Sequence, residues 1–77
     1  MSAQDIGEDQ YVTSERCHIS KNRYVVTVFR RDDRFYAAWF CDQCHGGGEC
    51  STRLDHVVAN EDGVAAVRAH HALRHTQ

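Results

Sequence analysis

No apolar run in this chain approaches the ~18 residues that a membrane-spanning helix needs, so none is expected. Its first ten residues, Met-Ser-Ala-Gln-Asp-Ile-Gly-Glu-Asp-Gln, have neither the basic stretch nor the apolar core of a secretory signal. Proline is absent, which removes the Pro-Cys-x-x-Cys element that a zinc deaminase requires. The only methionine is Met1, so no internal thioether is available as an axial ligand to haem. Positive charge is not in excess either. Eleven acidic residues against nine Lys and Arg give a formal charge of −2, which argues against strong non-specific DNA binding while leaving room for a local basic patch. Repeats and low-complexity tracts are also missing. With no export signal in view, the expected setting is the cytoplasm, where thiols stay reduced and paired cysteines more often bind metal than form disulfides.

What the chain does hold is four cysteines and six histidines in 77 residues. A single domain of this size draws only ~3–5 kcal/mol from its core, so a staple is expected: disulfides, a metal or a partner subunit. Residues 1–9 are polar and acidic, with Ile6 the only large apolar group besides Met1, and read as a flexible tail. Residues 10–77 read as one metal-stabilised domain.

From Tyr11 the pattern is that of strands. Residues 11–19 alternate, Ser20-Lys21-Asn22-Arg23 makes a turn, and Tyr24 to Arg30 is rich in β-branched and aromatic side chains. Asp32-Asp33 reads as a tight hairpin, and Phe35 to Cys41 as the returning strand. This turn predicts the pairs Arg30 with Phe35, Val28 with Ala37, Val26 with Trp39 and Tyr24 with Cys41. One face then carries Tyr24, Val26, Val28, Phe35, Ala37, Trp39 and Cys41. The other carries Val25, Thr27, Phe29, Tyr36, Ala38 and Phe40. Both are apolar, and one helix can cover only one of them.

Three successive glycines make His45 to Glu49 a loop on this reading. Leu54 to Ala59 fits a short strand or a helical turn equally well. Asn60 is a good N-cap, and a helix is expected from about Glu61 to His75, with Gly63 weakening its first turn. The expectation is therefore a small α+β domain: a three-stranded antiparallel meander, a zinc knuckle, a Gly-rich loop and a C-terminal helix.

Cys41-Asp42-Gln43-Cys44 and His71-Ala72-Leu73-Arg74-His75 supply two thiolates and two imidazoles, a full tetrahedral set for one Zn²⁺. On a wheel of ~100° per residue, Val64, Val67, His71 and His75 share a stripe and His70 lies at its edge. Cys41 leaves its strand on the Trp39 face, the one that the helix is expected to cover. Cys50, His45 and His70 are competing ligands. Cys17 and His18 are adjacent, point to opposite faces of a strand and read as structural.

The residues Cys41, Cys44, His71 and His75, in the order Cys-x2-Cys then His-x3-His behind a hairpin, resemble the Cys2His2 class of zinc fingers over roughly half of the chain. The resemblance implies one structural Zn²⁺ per chain. Two features depart from the class. The spacer from residue 45 to residue 70 is 26 long, against a usual ~12, and the cysteine pair ends a strand instead of capping a hairpin turn. Both separate the helix from the docking geometry of a DNA-reading finger. The metal chemistry needs only convergence of four ligands.

Other chemistries are open to the same residues. Cys41 to His45 matches a c-type haem attachment sequence, but no export route is visible. A dithiol redox centre would open a helix, whereas this pair runs into glycines. A catalytic zinc needs three ligands and an open position, and the expected set is closed; Glu49, Asp55 and His56 are bases that nothing places. Ordinary half-buried thiols and surface histidines are the plain alternative. The sequence therefore favours a non-enzymatic module that binds a protein partner or a second copy through the Val25/Phe29/Tyr36/Phe40 face. Segment 10–19 lying across that face would be its structural alternative. Binding of single-stranded nucleic acid by stacked Phe29, Tyr36 and Phe40, with Arg31 and Arg34 at the rim and Arg53 and Arg68 elsewhere, is the rival reading.

Overall fold

The computed structural model describes residues 9–75. Its elements are β1 (Gln10–Ile19), β2 (Asn22–Arg31), β3 (Arg34–Cys41), β4 (Gly46–Glu49) and α1 (His56–Arg74). The strands form one antiparallel sheet in the order β1-β2-β3-β4. The expected tail lies outside the described residues except for Asp9. That residue pairs with Arg31 at 2.9 Å and accepts a hydrogen bond from the Tyr36 hydroxyl. These two donors hold the Asp9 carboxyl down at about 2.

The central hairpin pairs as its turn requires: Arg30 with Phe35, Val28 with Ala37, Val26 with Trp39 and Tyr24 with Cys41. Two-residue turns join β1 to β2 and β2 to β3, and their first residues, Ser20 and Asp32, take a left-handed φ of 58°. Tyr24, Val26, Val28, Ala37 and Cys41 are fully buried on one face, beneath α1. The helix packs on β2 and β3. Cys17 and Ile19 of β1, with Trp39, Cys50 and Val64, close the margin of this core.

Two expectations are overturned by the packing. The sheet has four strands, because the Gly46–Glu49 segment pairs with β3 instead of looping: Ala38 faces Glu49, Trp39 faces Gly48, Phe40 faces Gly47 and Cys41 faces Gly46. Glycine usually weakens a strand, but here it permits close approach. A Cβ on Gly47 would stand 1.9 Å from the Trp39 carbonyl oxygen. The helix also begins earlier than expected. Asp55 is its N-cap, its carboxylate accepting from the Val57 amide at 2.8 Å. Asn60 lies inside the helix, its side-chain amide 3.5 Å from Glu15. The chain enters α1 along β3, through paired backbone bonds between Phe35 and Arg53 of 2.7 and 2.6 Å.

The buried stripe of α1 is Ala59, Gly63, Val67 and His71, one residue every four. Gly63 is thus a contact point and no longer a first-turn weakness. A Cβ there would meet Val26 Cγ1 at 2.5 Å and Ala37 Cβ at 2.8 Å. Alanine would gain about 1 kcal/mol of helix propensity, but overpacking against a stiff, buried valine costs about 1–3 kcal/mol. The packing cost should win, so Gly63→Ala should lower the urea midpoint; an unchanged or raised midpoint would show that α1 can lift off the sheet cheaply.

β1 runs beside β2 and does not fold across the sheet, so the side away from α1 carries no second layer among the described residues. That side is not uniformly apolar. Phe29 stacks on Tyr36 with ring centroids 5.5 Å apart, Arg31 lies 4.9 Å over the Tyr36 ring, and Tyr36 is 5% exposed. Phe40, at 42%, stays open.

Candidate metal centre

Cys41 ends β3 and Cys44 sits in the four-residue turn to β4, a turn closed by the His45 amide on the Cys41 carbonyl at 2.9 Å. His45 itself adopts φ 58°. The cysteine pair therefore does bracket a hairpin turn. The expected departure from a finger-like arrangement on this point disappears once β4 is recognised as a strand.

At the other end of the chain, α1 brings His70 and His75 to the same place. Ligand atoms of Cys41, Cys44, His70 and His75 all lie within 4.8 Å of one another, and the group could hold a metal ion. Cys44 Sγ is 3.2 Å from His75 Nε2 and 3.4 Å from His70 Nε2. Cys41 Sγ is 3.6 Å from His75 Nε2, and the two imidazole Nε2 atoms are 3.3 Å apart. Cys41 is buried, Cys44 exposed and both histidines half-buried, which places the group at the margin of the core.

Three of the four residues expected at the site thus meet, while His71 goes elsewhere. It lies on the buried stripe, 7% exposed, with Nδ1 at 2.7 Å from the Tyr24 hydroxyl. Burial pushes the Tyr24 hydroxyl up, so it stays protonated and shares this hydrogen bond with the His71 ring. His71 is thus engaged by Tyr24 in the interior and is not among the grouped residues. His70, one residue earlier, has its ring 5.0 Å from Trp39, whose indole also lies against Gly48.

Positions 70 and 75 are five apart, which on a regular helix puts them about 140° from each other. They converge because His75 is the C-cap: it has left helical geometry, with φ −125° and ψ 2°, while its amide still bonds His71 O at 2.8 Å. A sequence signal for this was present in the helix-ending position of His75. Without the cap conformation it could not be read.

Of the competing ligands, His70 joins the group, while Cys50 and His45 stay out of it. Cys50 is half-buried against the core, with its amide on Ala37 O at 2.8 Å, and burial and then Asp62 push its thiol up. His45 is exposed in the turn, and Cys17 sits opposite Tyr24 on β1. Within the group, loss of hydration lowers the pKa of His70, with His75 and Arg74 adding to the effect. The imidazole is thereby kept neutral, as a ligand must be. Loss of hydration and then the neighbouring Cys41 push the Cys44 thiol up. A divalent cation inverts that preference and favours the thiolate.

No helix among the described residues is long and apolar enough to cross a membrane. Comparison with known protein families, with curated proteins and with solved structures finds no match to this chain.

Proposed function

We propose that the protein is a non-catalytic binding module stapled by one structural Zn²⁺ on Cys41, Cys44, His70 and His75. The observation that carries this is the set of edge lengths. A tetrahedron with Zn–N of ~2.0–2.1 Å and Zn–S of ~2.3 Å has N···N edges of about 3.3 Å and N···S edges of about 3.6 Å. Four of the six edges, at 3.3, 3.2, 3.4 and 3.6 Å, fall within a few tenths of these values, and all six are within 4.8 Å. Two thiolates and two imidazoles close the coordination sphere and leave no position for a reacting water, which supports a structural role. The Cys pair in a hairpin turn ahead of a helix bearing two histidines is similar to a Cys2His2 finger. Metal analysis of protein purified without added metal tests the reading. One zinc per chain is the expected result; a folded, metal-free chain would overturn it.

The ion ties the β3–β4 turn to the end of α1 and leaves the opposite sheet face for a partner. We place a protein partner, or a second copy of the chain, on the Val25/Phe29/Tyr36/Phe40 face. Light scattering at high concentration should give about twice the 8.8 kDa chain mass if the partner is a second copy. A monomer at every concentration would remove the self-association reading. A nucleic-acid partner is the second reading, and one observation favours it: from Arg16 to Arg23 the chain has two arginines, a lysine and a histidine with no acid among them.

A further inference from the structure

The cations on the uncovered face are not equivalent. Arg31 is held by Asp9 through two contacts of 2.9 Å and is neutralised in place, as Arg53 is on the α1 side by Asp62 at 2.6 Å. The β1–β2 tip differs. Arg16 lies opposite Val25 and His18 opposite Arg23, so the two arginines share the uncovered face with His18, and Lys21 sits in the turn between β1 and β2. Among the described residues no carboxylate is paired with Arg16, and Arg23 meets Asp42 only at 3.3 Å with both side chains more than half exposed. Such a pair contributes little and exchanges readily for a phosphate.

Beside this cationic tip is a cleft of about 300 Å³, lined by Arg16, Arg23, Val25, Phe40 and Asp42. Phe40 lies opposite Val25 and is 42% exposed, which leaves an aromatic face open next to two guanidinium groups. Aromatic surface flanked by cations and bounded by one hydrogen-bond acceptor matches the chemistry of a nucleotide with its base unpaired. Base stacking requires an accessible ring face, and a base inside a duplex offers only its edge.

We infer that the β1–β2 tip and the Phe40 cleft bind single-stranded nucleic acid. One base stacks on Phe40, and Arg16, Lys21 and Arg23 take the adjacent phosphates. Asp42, released from Arg23, accepts from an N–H of the base edge. This deepens the nucleic-acid reading of the uncovered face and rests on that reading. It also explains how a chain of net charge −2 can bind a polyanion: the required charge is local and small.

The test is fluorescence anisotropy of labelled oligothymidylate, oligouridylate and oligocytidylate with the zinc-loaded full chain, titrated between about 50 and 200 mM salt. Three phosphate contacts predict a slope of log K against log salt of about −2, at ~0.7 per contact for single strands. Phe40→Ala should weaken binding by about 5- to 150-fold without changing that slope. Arg16→Gln and Arg23→Gln should each flatten it by about 0.7. Free AMP should compete only weakly, because it offers one phosphate. Equal binding of a duplex, an unchanged affinity for Phe40→Ala, or capture of a polyglutamate peptide that the same variants abolish would each overturn the inference. Metal content and melting are measured on the same samples. Folded, zinc-loaded protein that binds no strand sinks this inference alone, whereas folded protein without metal sinks the zinc reading and leaves the binding test standing.

Discussion

Excess chelator should abolish the helix and sheet signals together. A structural zinc site contributes about 10–16 kcal/mol of apparent free energy in small metallo-domains, against the ~3–5 kcal/mol that a core of this size supplies. The stripe that α1 buries is only Ala59, Gly63, Val67 and His71, which includes one large apolar side chain. Once the ion is gone, little holds the helix to the sheet. Two substitutions separate the ligand from its neighbour. His70→Ala should lose the metal and unfold the chain, because it removes one of four ligands whose atoms lie within 4.8 Å of one another. His71→Ala should keep one zinc per chain and stay folded. Its cost should be about 1–3 kcal/mol, the penalty for leaving the buried Tyr24 hydroxyl without its 2.7 Å partner. Circular dichroism with metal analysis of both variants reads the difference. The reverse pattern, with His71→Ala metal-free and His70→Ala loaded, would restore the arrangement expected from the helical wheel and refute the one described here.

Gly47→Ala should be the most damaging single methyl in the sheet. Its Cβ would lie 1.9 Å from the Trp39 carbonyl oxygen, 2.9 Å from that carbonyl carbon and 3.0 Å from Phe40 Cα. All three are main-chain atoms, so no rotamer change relieves the clash and β4 must move away from β3. A cost of about 3 kcal/mol, the upper part of the range for overpacking, is expected. The effect should not stop at stability. The β3–β4 turn carries Cys44, so displacing β4 displaces a ligand, and zinc affinity should fall in a competition titration. Gly46→Ala is the matching control. Nothing lies within 4 Å of a Cβ at that position, and its effect should stay within about 0.5 kcal/mol. Equal behaviour of the two variants would mean that the glycine run is a loop after all.

The central hairpin was legible because its constraints are local. A two-residue turn at Asp32-Asp33 and the period-two pattern leave one register, and the structure has that register. The same parity predicted which side chains would be buried: Tyr24, Val26, Val28, Ala37 and Cys41 are all fully covered. The Cys41-x-x-Cys44 pair was legible for a similar reason, since a thiol pair at that spacing needs only a turn to converge. β4 was not legible. Its glycines are explained by the Trp39 backbone and indole that they pack against, and composition alone says that glycine disfavours a strand. The helix start was obscured in the same way, because Asn60 and Asp55 are both acceptable caps and only the pairing of Arg53 with Phe35 selects the earlier one.

The sequence by itself determined the sheet register, the covered face and the supply of thiols and imidazoles, because these follow from alternation, turn length and spacing along one segment. Tertiary structure alone decided which histidine joins the cysteines. On an uninterrupted helix His71 and His75 are neighbours and His70 is not. The cap at His75 breaks that periodicity, and the Tyr24 hydroxyl in the core gives His71 a partner of its own. The second fact joins groups 47 residues apart that meet only once the helix has packed, so no local pattern could have shown it.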